Sequence, residues 1–425
     1  MSQAHAPKNL TLKILIAMST GILLGIIFNT TSFNTDGFVM DVLIVGGKIF
    51  IASLKLLVVP LVFVSLVCGT AALDDIKKLG RVGGWTLGLY LLTTAIAISL
   101  ALIAGMIIQP GAGFDLISAT AADFAAKDAP PLKDTLIAIF PTNPFQAMAE
   151  GNMLQIIVFS VLLGLAMTMA GEAGKKVTAA FNDLNEVIMK LVMLLMHAAP
   201  IGVFCLVAKV FWEQGFSAIA PLAKYFFVVM GVLIIHAIVV YPTILKIFGG
   251  LSPKPFIRKL KEVWIFAFST SSSNATIPVT LETVENKLGA SNNIASFTVP
   301  LGATVNMDGT AIMQGVATAF IAQAYGIDIG LQGYLMVILT ATLASIGTAG
   351  VPGVGLITLA MVLKQVGLPV EGIGLIIGVD RLLDMMRTAV NVTGDAAVTC
   401  IVANKEKQLD TAIYHADIEE FVTDD

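Results

Sequence analysis

The stretch FSTSSSNATIPVT, residues 268–280, places a run of hydroxyl and amide side chains in an otherwise very apolar chain. The 425 residues are 56% hydrophobic and only 13% charged, with a mean hydropathy of +0.88. This composition lies outside the range of soluble globular proteins. Because a helix of about 20 apolar residues crosses a bilayer, we expect an integral membrane protein in which polar stretches have internal partners.

Apolar stretches of membrane-spanning length recur along almost the whole chain. We expect eight transmembrane helices, at residues 12–30, 42–73, 85–108, 153–170, 187–211, 225–248, 297–324 and 373–402. These spans leave no room for a soluble domain, so the sequence predicts one all-helical membrane domain. The first span follows Lys8 and Lys13 without a small-residue cleavage site, and we expect it to remain in the mature protein.

Basic residues in the connections predict the orientation in the membrane. Lys and Arg cluster before the first span, after the last, and within residues 74–81, 171–176 and 253–261. The connection at 110–151 instead has more acidic than basic residues. By the positive-inside rule, both termini face the cytoplasm of a cell inner membrane, with an acidic tail at 405–425. The net charge of −4 indicates no nucleic-acid-binding surface. Cys68, Cys205 and Cys400 have the apolar neighbours typical of packing.

The opening stretch lies within residues 262–288, whose two halves are each about half as long as a full span requires. We expect a re-entrant helical hairpin whose tip carries the serines and Asn274. Irregular backbone inside a membrane is tolerated only where protein or water satisfies its polar groups, and these side chains supply donors and acceptors. Two short crossings, or a serine-rich packing interface, are the alternatives.

A second stretch of the same kind, residues 341–360, has apolar arms around a glycine-rich tip with Pro352. Each hairpin precedes a long apolar segment that carries polar residues, so we expect the order of hairpin and broken helix to occur twice. Paired interrupted segments are typical of inverted-repeat transporters with a binding site near the bilayer midplane. Two unrelated glycine-rich helix interfaces are the alternative.

The sequence DRLLDMMRTAVNVTGDAAVT, residues 380–399, confines its polar groups to one face of the last predicted helix. At ~100° per residue, a shared arc holds Asp380, Asp384, Arg387, Thr388, Asn391 and Asp395. Left in lipid, the five ionisable groups, counting Arg381, would cost roughly 12 kcal/mol or more, so they face an internal site or one another. A purely structural ion-pair network is the alternative, although it does not require Thr388 and Asn391.

The sequence GATVNMDGTA, residues 302–311, interrupts the seventh predicted helix with Asn306, Asp308 and Gly309. We expect the helix to unwind there. Freed backbone carbonyls next to a buried carboxylate form an all-oxygen site, which suits a hard cation better than a transition metal. A packing or capping role for the Asn and Asp is the alternative.

The motifs STSSSNATIPVT, NMDGTA, SIGTAGVPG and DMMRTAVNVTGD, with LKLLVVPLVF in the second span, together resemble the dicarboxylate/amino acid:cation symporters, the bacterial-type glutamate/aspartate transporter family. The resemblance implies a homotrimer without a cofactor. In each protomer, spans one, two, four and five (about 10–73 and 140–213) would form a scaffold. The other spans and both hairpins (about 82–110 and 217–404) would form a transport domain that moves as an elevator.

The resemblance also implies which residues bind an acidic amino acid. The substrate ammonium would lie on Asp384 and Thr388, the α-carboxylate on Asn391 and the first hairpin, and the side-chain carboxylate on Arg387. The full set is Thr270, Ser271, Ser272, Thr310, Val351, Gly355, Asp384, Arg387, Thr388 and Asn391. The chemistry agrees, because a guanidinium holds a carboxylate in a bidentate manner and backbone N–H groups at helix ends bind anions.

The resemblance further implies three sites for co-transported sodium ions. The first would use the carbonyls of Gly302, Asn306 and Asn391 with the Asp395 carboxylate. The second would use the carbonyls of Thr304, Ser345, Ile346 and Thr348, with Met307 adjacent. The third would use Asn306, Asp308, Thr93 and Thr94, near Tyr90.

The chain departs from the family pattern at several positions near the implied site. Thr270 and Met385 stand where many members have an additional arginine. Arg381 is the candidate substitute, and Asn274 replaces a smaller residue. Proton-coupled members tend to lose the acid that Asp395 preserves, so we expect coupling to sodium.

We therefore expect a secondary active symporter, not an enzyme, that carries aspartate or glutamate into the cell with sodium. A proton-coupled glutamate/aspartate or C4-dicarboxylate symporter is the alternative. An intramembrane hydrolase would need a histidine linked to its serine, yet His197 and His236 show no link to a Ser or Asp motif. A channel would not need an Asp and an Arg one turn apart.

Overall fold

The computed structural model describes residues 8–31, 37–71, 81–114, 140–346, 348 and 350–416. The regular elements within these ranges are all helices, as the sequence predicts. The basic connection at 74–80, most of the predicted outer connection at 115–139, Gly347 of the second hairpin and the tail from 417 onward lie outside the described residues.

The first half of the chain forms seven helices in the described ranges. They are α1 (Lys8–Thr31), α2 (Phe38–Ala71), α3 (Arg81–Ile108), α4 (Pro144–Glu150), α5 (Met153–Met169), α6 (Gly171–Met196) and α7 (Ala199–Gln214). Helix α1 packs against α7, and α2 packs against α5, α6 and α7. The basic connection predicted at 171–176 is instead the first turns of α6.

The predicted fifth span, 187–211, is wrong as a single helix. Helix α6 ends at Met196 and α7 begins at Ala199. Pro200 lies in the first turn of α7, where its missing N–H is tolerated, but in a continuous helix its ring would collide with the Met196 carbonyl. The apolar run is therefore divided by a proline that hydropathy alone treats as neutral.

The second half contains the elements that carry the predicted site. They are α8 (Ile219–Ile235), a π-helical turn (His236–Val240), α9 (Tyr241–Gly249), α10 (Pro253–Lys259), α11 (Lys261–Thr270), α12 (Ser273–Glu282), α13 (Asn292–Val305), α14 (Asp308–Ala324), α15 (Gly330–Ser345), α16 (Val354–Gln365), α17 (Ile373–Lys405) and α18 (Thr411–His415). Two helical hairpins are present, α11 with α12 and α15 with α16, and the two arms of each pack together.

Helix α17 lies at the centre of this half. Helices α8, α9, α11, α13 and α14 all contact it, and most of its residues are buried. The seventh predicted span is broken as expected, between Val305 and Asp308. The expectation of a second broken helix is wrong, because α17 continues without interruption from Ile373 to Lys405. It contains no proline, and the polar side chains of its stripe find partners without unwinding of the backbone.

Four helical stretches within the described residues are long and apolar enough to cross a membrane: Leu12–Thr31, Phe38–Ala71, Arg81–Ile108 and Ala199–Gly249. The predicted total of eight spans and the re-entrant position of the hairpins stay predictions.

At one end of α17, Arg81 donates two hydrogen bonds of 2.8 Å to Glu406. These bonds hold the pKa of the Glu406 carboxyl below its usual range.

Candidate functional site

The serine run forms a tight turn between the arms of the first hairpin. Helix α11 ends at Thr270, and Ser271 adopts a left-handed conformation with φ +51. Ser272 then caps α12, its hydroxyl accepting a hydrogen bond of 3.2 Å from the backbone N–H of Ala275. The Ser272 hydroxyl also donates to the carbonyl of Gly350 at 2.6 Å. The tips of the two hairpins therefore touch.

The second hairpin reaches α17 through its glycines. Gly353 has φ +85, a conformation that glycine adopts without strain, and its N–H points to the Asp384 carboxylate at 3.4 Å. Gly355 lies beside Arg387 and Thr310: a side-chain carbon built on it would be 3.2 Å from Arg387 Nη2 and 3.4 Å from Thr310 Cγ2. The resemblance placed these three residues together, and the structure agrees.

Four charged side chains of α17 form what we call the arginine cluster: Asp380, Arg381, Asp384 and Arg387. Arg387, only 1% exposed, donates from Nη1 to Asp380 and from Nη2 to Asp384, the latter at 2.8 Å. Arg381 donates to the second Asp384 oxygen at 3.2 Å. The Arg387 Nε has no hydrogen-bond partner in the described part of the chain. The polar stripe predicts that these residues lie side by side. It does not predict that Asp380 and Asp384 both bond to the Arg387 guanidinium.

Thr388 and Asn391 lie along the same face of α17 with less direct contacts. The Thr388 hydroxyl donates to the Asp384 carbonyl at 2.9 Å within its own helix. Asn391 accepts the N–H of Gly309 at 2.8 Å and donates to Met307 Sδ at 3.4 Å. Val351, at the second tip, is half-buried. Asn391 is thus held by the break between α13 and α14, next to the arginine cluster.

The helix break brings together the residues of the first predicted sodium site. Asn306 has ψ 84 and leaves the helix, so its side-chain amide reaches the Asn391 carbonyl and the Asp395 carboxylate, both at 2.9 Å. Its backbone N–H donates to the Gly302 carbonyl at 2.8 Å. A side-chain carbon at Gly302 would lie 2.5 Å from the Tyr90 hydroxyl, so a larger residue there would displace the side chains of the site.

The third predicted sodium site is also assembled. Asp308 accepts the Thr94 hydroxyl at 2.6 Å, and the Thr93 hydroxyl lies 3.4 Å from the Asn306 side-chain oxygen. The second oxygen of Asp308 accepts two further donors: the Tyr241 hydroxyl at 2.8 Å and His236 Nε2 at 3.1 Å. We call the whole group the aspartate cluster: Thr93, Thr94, His236, Tyr241, Asn306, Asp308 and Asp395.

The conclusion that His236 has no link to an Asp motif is therefore wrong. His236 and Tyr241 belong to an apolar stretch that the sequence analysis read only as a span. An ionisable side chain inside a span is by default a sign of function, and this signal was present in HAIVVY, residues 236–241. It was missed because the partner, Asp308, is 72 residues away.

The second predicted sodium site is less well assembled. Each hydroxyl of the set is bonded to a carbonyl of its own chain segment: Thr304 to Leu301, Ser345 to Thr342 and Thr348 to Ala344. The N–H of Ile346 donates to Leu343. Among the described residues no hydrogen bond joins Thr304 to the second hairpin, so this site stays a prediction.

Comparison with protein families gives one match over nearly the whole chain. The model of the sodium:dicarboxylate symporter family matches residues 10–405, a range that includes both hairpins, the helix break and α17. The chain belongs to the sodium:dicarboxylate symporter family. It is accordingly a transporter and not an enzyme, and the apolar helices are those of an integral membrane protein.

Three relatives of this symporter illustrate the range of the family. The proton/glutamate-aspartate symporter of Escherichia coli strain K12 is 38% identical over 412 residues, which cover 95% of this symporter and 94% of the relative. The proton/sodium-glutamate symport protein of Geobacillus stearothermophilus is 37% identical over 395 residues, 91% and 93% of the two chains. The C4-dicarboxylate transport protein of Brucella anthropi is 35% identical over 411 residues, 95% and 90% of the two chains.

Proposed function

We propose that this chain is a secondary active symporter that carries aspartate or glutamate into the cell together with sodium ions. One observation carries the proposal. A charge-balanced arginine cluster, able to pair with a zwitterionic acid, lies next to an aspartate cluster whose two buried carboxylates, Asp308 and Asp395, have no Lys or Arg partner in the described part of the chain. The first suits an acidic amino acid, and the second suits a cation.

The arginine cluster supports binding by exchange of partners. In this structure Asp384 and Asp380 neutralise Arg387. A substrate ammonium would replace the guanidinium on Asp384, and the substrate side-chain carboxylate would replace Asp384 on Arg387. Each buried charge keeps a partner throughout, which avoids the large cost of an unpaired ion in the interior.

Asp384 also favours an amino acid over a plain dicarboxylate. Its carboxylate lies 2.8 Å from Arg387, within the space that a bound acid would share. A C4-dicarboxylate has no ammonium to pair with Asp384, so its binding would place like charges side by side. For this reason we propose glutamate or aspartate as the substrate, rather than the C4-dicarboxylate that appears in the name of the Brucella relative.

The aspartate cluster supports cation coupling. Asp308 and Asp395 are 0% and 1% exposed, and neither forms a salt bridge with Lys or Arg in the described part of the chain. A bound cation would compensate these charges. The carbonyls of Gly302 and Asn391 near Asp395 add oxygen ligands that suit sodium. The names of the Escherichia and Geobacillus relatives favour proton coupling as the second candidate, since a proton would neutralise the same carboxylates.

The second hairpin is the proposed gate. A cavity of about 50 Å³ is lined by Asp380, Arg381 and Asp384 of α17 and by Gly353 of the second hairpin. This volume holds only a few water molecules, so an amino acid needs the second hairpin to move away from α17. The contact to open is the hydrogen bond from Ser272 to the Gly350 carbonyl.

We further infer the elevator arrangement of a homotrimer, with both termini cytoplasmic in the inner membrane. Helices α1, α2 and α4 to α7 would form the scaffold (10–73 and 140–213), and α3 with α8 to α17 the transport part (82–110 and 217–404). Among the described residues, the polar contacts that cross between these groups include Lys55 to Glu371 at 2.8 Å and Lys364 to the Glu150 carbonyl at 2.9 Å. Both would break when the transport part moves.

The test is uptake of labelled aspartate and glutamate into proteoliposomes under separately imposed sodium and proton gradients. We expect uptake that requires a sodium gradient and that excess unlabelled aspartate blocks more strongly than excess succinate. Uptake driven by a proton gradient without sodium would make proton coupling the correct alternative. Preference for succinate would contradict the assignment of an amino acid substrate.

A further inference from the structure

His236 and Tyr241 both donate to the same oxygen of Asp308. The distances are 3.1 Å from His236 Nε2 and 2.8 Å from the Tyr241 hydroxyl. All three side chains are 0% exposed. The other Asp308 oxygen accepts the Thr94 hydroxyl. Two donors from one helical stretch therefore fix one side of the carboxylate, while the opposite oxygen faces α3.

A π-helical turn makes this double contact possible. Residues five apart on an α-helix point about 140° away from each other at ~100° per residue. The π turn His236–Val240 inserts one residue, so the Tyr241 N–H donates to the His236 carbonyl. The two rings then lie 4.6 Å apart between centroids, and both reach Asp308. Such turns are frequent at functional sites.

His236 can bond Asp308 through one ring nitrogen only. Its Nδ1 is buried and has no hydrogen-bond partner in the described part of the chain. His236 Nε2 and the Tyr241 hydroxyl thus supply two hydrogen bonds to a single oxygen of Asp308.

We propose that His236 and Tyr241 are positioning residues for the coupling ion. By holding one oxygen of Asp308, they direct the other toward Thr93, Thr94 and Asn306, where the cation binds. This inference rests on the proposed sodium coupling. It adds one residue from the π turn and one from α9 to a site that the sequence assigned to α3 and the break between α13 and α14 alone.

The experiment measures labelled aspartate uptake by the full chain in proteoliposomes as a function of sodium concentration. Tyr241→Phe removes one donor, and His236→Leu removes the other. We expect each to raise the sodium concentration for half-maximal uptake about tenfold, the size expected for loss of a hydrogen bond to a charged group. Maximal uptake at saturating sodium should stay within about twofold. His236→Gln, which keeps an N–H donor, should recover most of the shift.

Two matched variants control for a general loss of packing. Tyr225→Phe removes another buried hydroxyl, one without a partner in the described residues, and His197→Gln alters an exposed histidine just beyond the end of α6, whose Nδ1 lies 2.6 Å from the Met193 carbonyl. Neither should shift the sodium curve. If Tyr241→Phe and His236→Leu lower maximal uptake but leave the sodium midpoint unchanged, their role is structural and the inference is wrong. Sodium-independent uptake by the unaltered protein would instead overturn the proposed coupling itself.

Discussion

The arginine cluster and the aspartate cluster lie on the same face of α17 but neutralise their buried acids in opposite ways. In the arginine cluster, Asp380 and Asp384 are matched by two guanidinium groups on the same helix. In the aspartate cluster, Asp308 and Asp395 receive hydrogen bonds from an amide, hydroxyls and an imidazole. The charges of the arginine cluster are balanced, whereas the acids of the aspartate cluster have no Lys or Arg partner in the described part of the chain.

The difference indicates what each cluster can bind. A charge-balanced group accepts a ligand by exchanging partners, so it selects for a ligand that brings both charges. A group with excess negative charge in a buried position gains most from a cation. If the clusters bind as we propose, one helix presents a zwitterion site and a cation site about two turns apart, and Asn391 lies between them, bonded to Gly309 and Asn306. This arrangement would couple the two binding events.

The largest effect is expected for Arg387→Cys, which removes the central cation of the arginine cluster. Uptake of aspartate and glutamate should be abolished, while small neutral amino acids gain entry. Loss of a buried charge-assisted pair costs about 2–5 kcal/mol, or roughly 30-fold to several thousandfold in affinity. Competition by unlabelled serine and aspartate against residual uptake measures the change.

Because Arg387→Cys leaves Asp380 and Asp384 short of a partner, a charge-compensated variant separates folding from binding. Arg387→Gln combined with Asp380→Asn keeps the cluster balanced and should reach the membrane as the unaltered protein does, yet still fail to take up acidic substrates. Retained aspartate selectivity in either variant would show that Arg381 holds the substrate side chain and that the exchange at Arg387 is wrong.

An intermediate effect is expected for Asp395→Asn, in the aspartate cluster. The amide keeps an oxygen ligand but removes the charge that offsets dehydration of the cation. Two ligands that favour one state are coupled reciprocally, typically by about 1–3 kcal/mol, so apparent aspartate affinity should fall at fixed sodium although Asp395 makes no contact with substrate. Raising sodium should restore it.

The measurement is the apparent aspartate affinity of both proteins at several sodium concentrations. A curve displaced toward higher sodium supports an ion ligand. Curves that coincide along the sodium axis would mean that Asp395 stabilises the fold through Asn306 and that the ion site lies elsewhere.

The sequence predicts these clusters unevenly, for physical reasons. The polar stripe of α17 and the break at Asn306 follow from helical periodicity and from the cost of polar groups in lipid, which act locally. The helix break before Pro200 also has a local cause. Pro200 lies within an apolar run, however, so hydropathy does not reveal the break. The contact of His236 and Tyr241 with Asp308 depends on a π turn, which changes the angular register by one residue and has no hydropathy signal.

The counterions of Arg387 show a second limit. Periodicity places Asp380, Asp384 and Arg387 on one face, but it does not say whether an acid awaits a substrate ammonium or already pairs with the arginine. That choice depends on side-chain geometry in the folded chain, where Arg387 bonds both acids.

The boundaries of the second hairpin show a further limit. The sequence predicts this hairpin at 341–360, whereas its arms extend from Gly330 to Gln365. Its arms continue as apolar helix on both sides, so composition marks no boundary.

The smallest effect is expected for Arg381→Gln. Arg381 is on the rim of the arginine cluster, with 14% of its side chain exposed and its Nη1 3.2 Å from Asp384. Exposed or partly exposed pairs contribute about 0–1 kcal/mol, so the apparent affinity for aspartate should fall only about three- to fivefold. The variant changes the cluster from balanced to a net charge of −1, and the penalty should therefore grow with the negative charge of the ligand.

Competition by aspartate and by succinate against labelled aspartate tests this dependence. Aspartate carries one net negative charge and succinate carries two, so succinate should lose more affinity than aspartate in Arg381→Gln. Arg81→Gln is the matched control, because Arg81 pairs with Glu406 at the far end of α17 and should leave both affinities unchanged. Equal losses for the two ligands would mean that Arg381 only orients Asp384. In that case the cluster selects its substrate through Arg387 alone, and the charge balance that distinguishes it from the aspartate cluster plays no part in specificity.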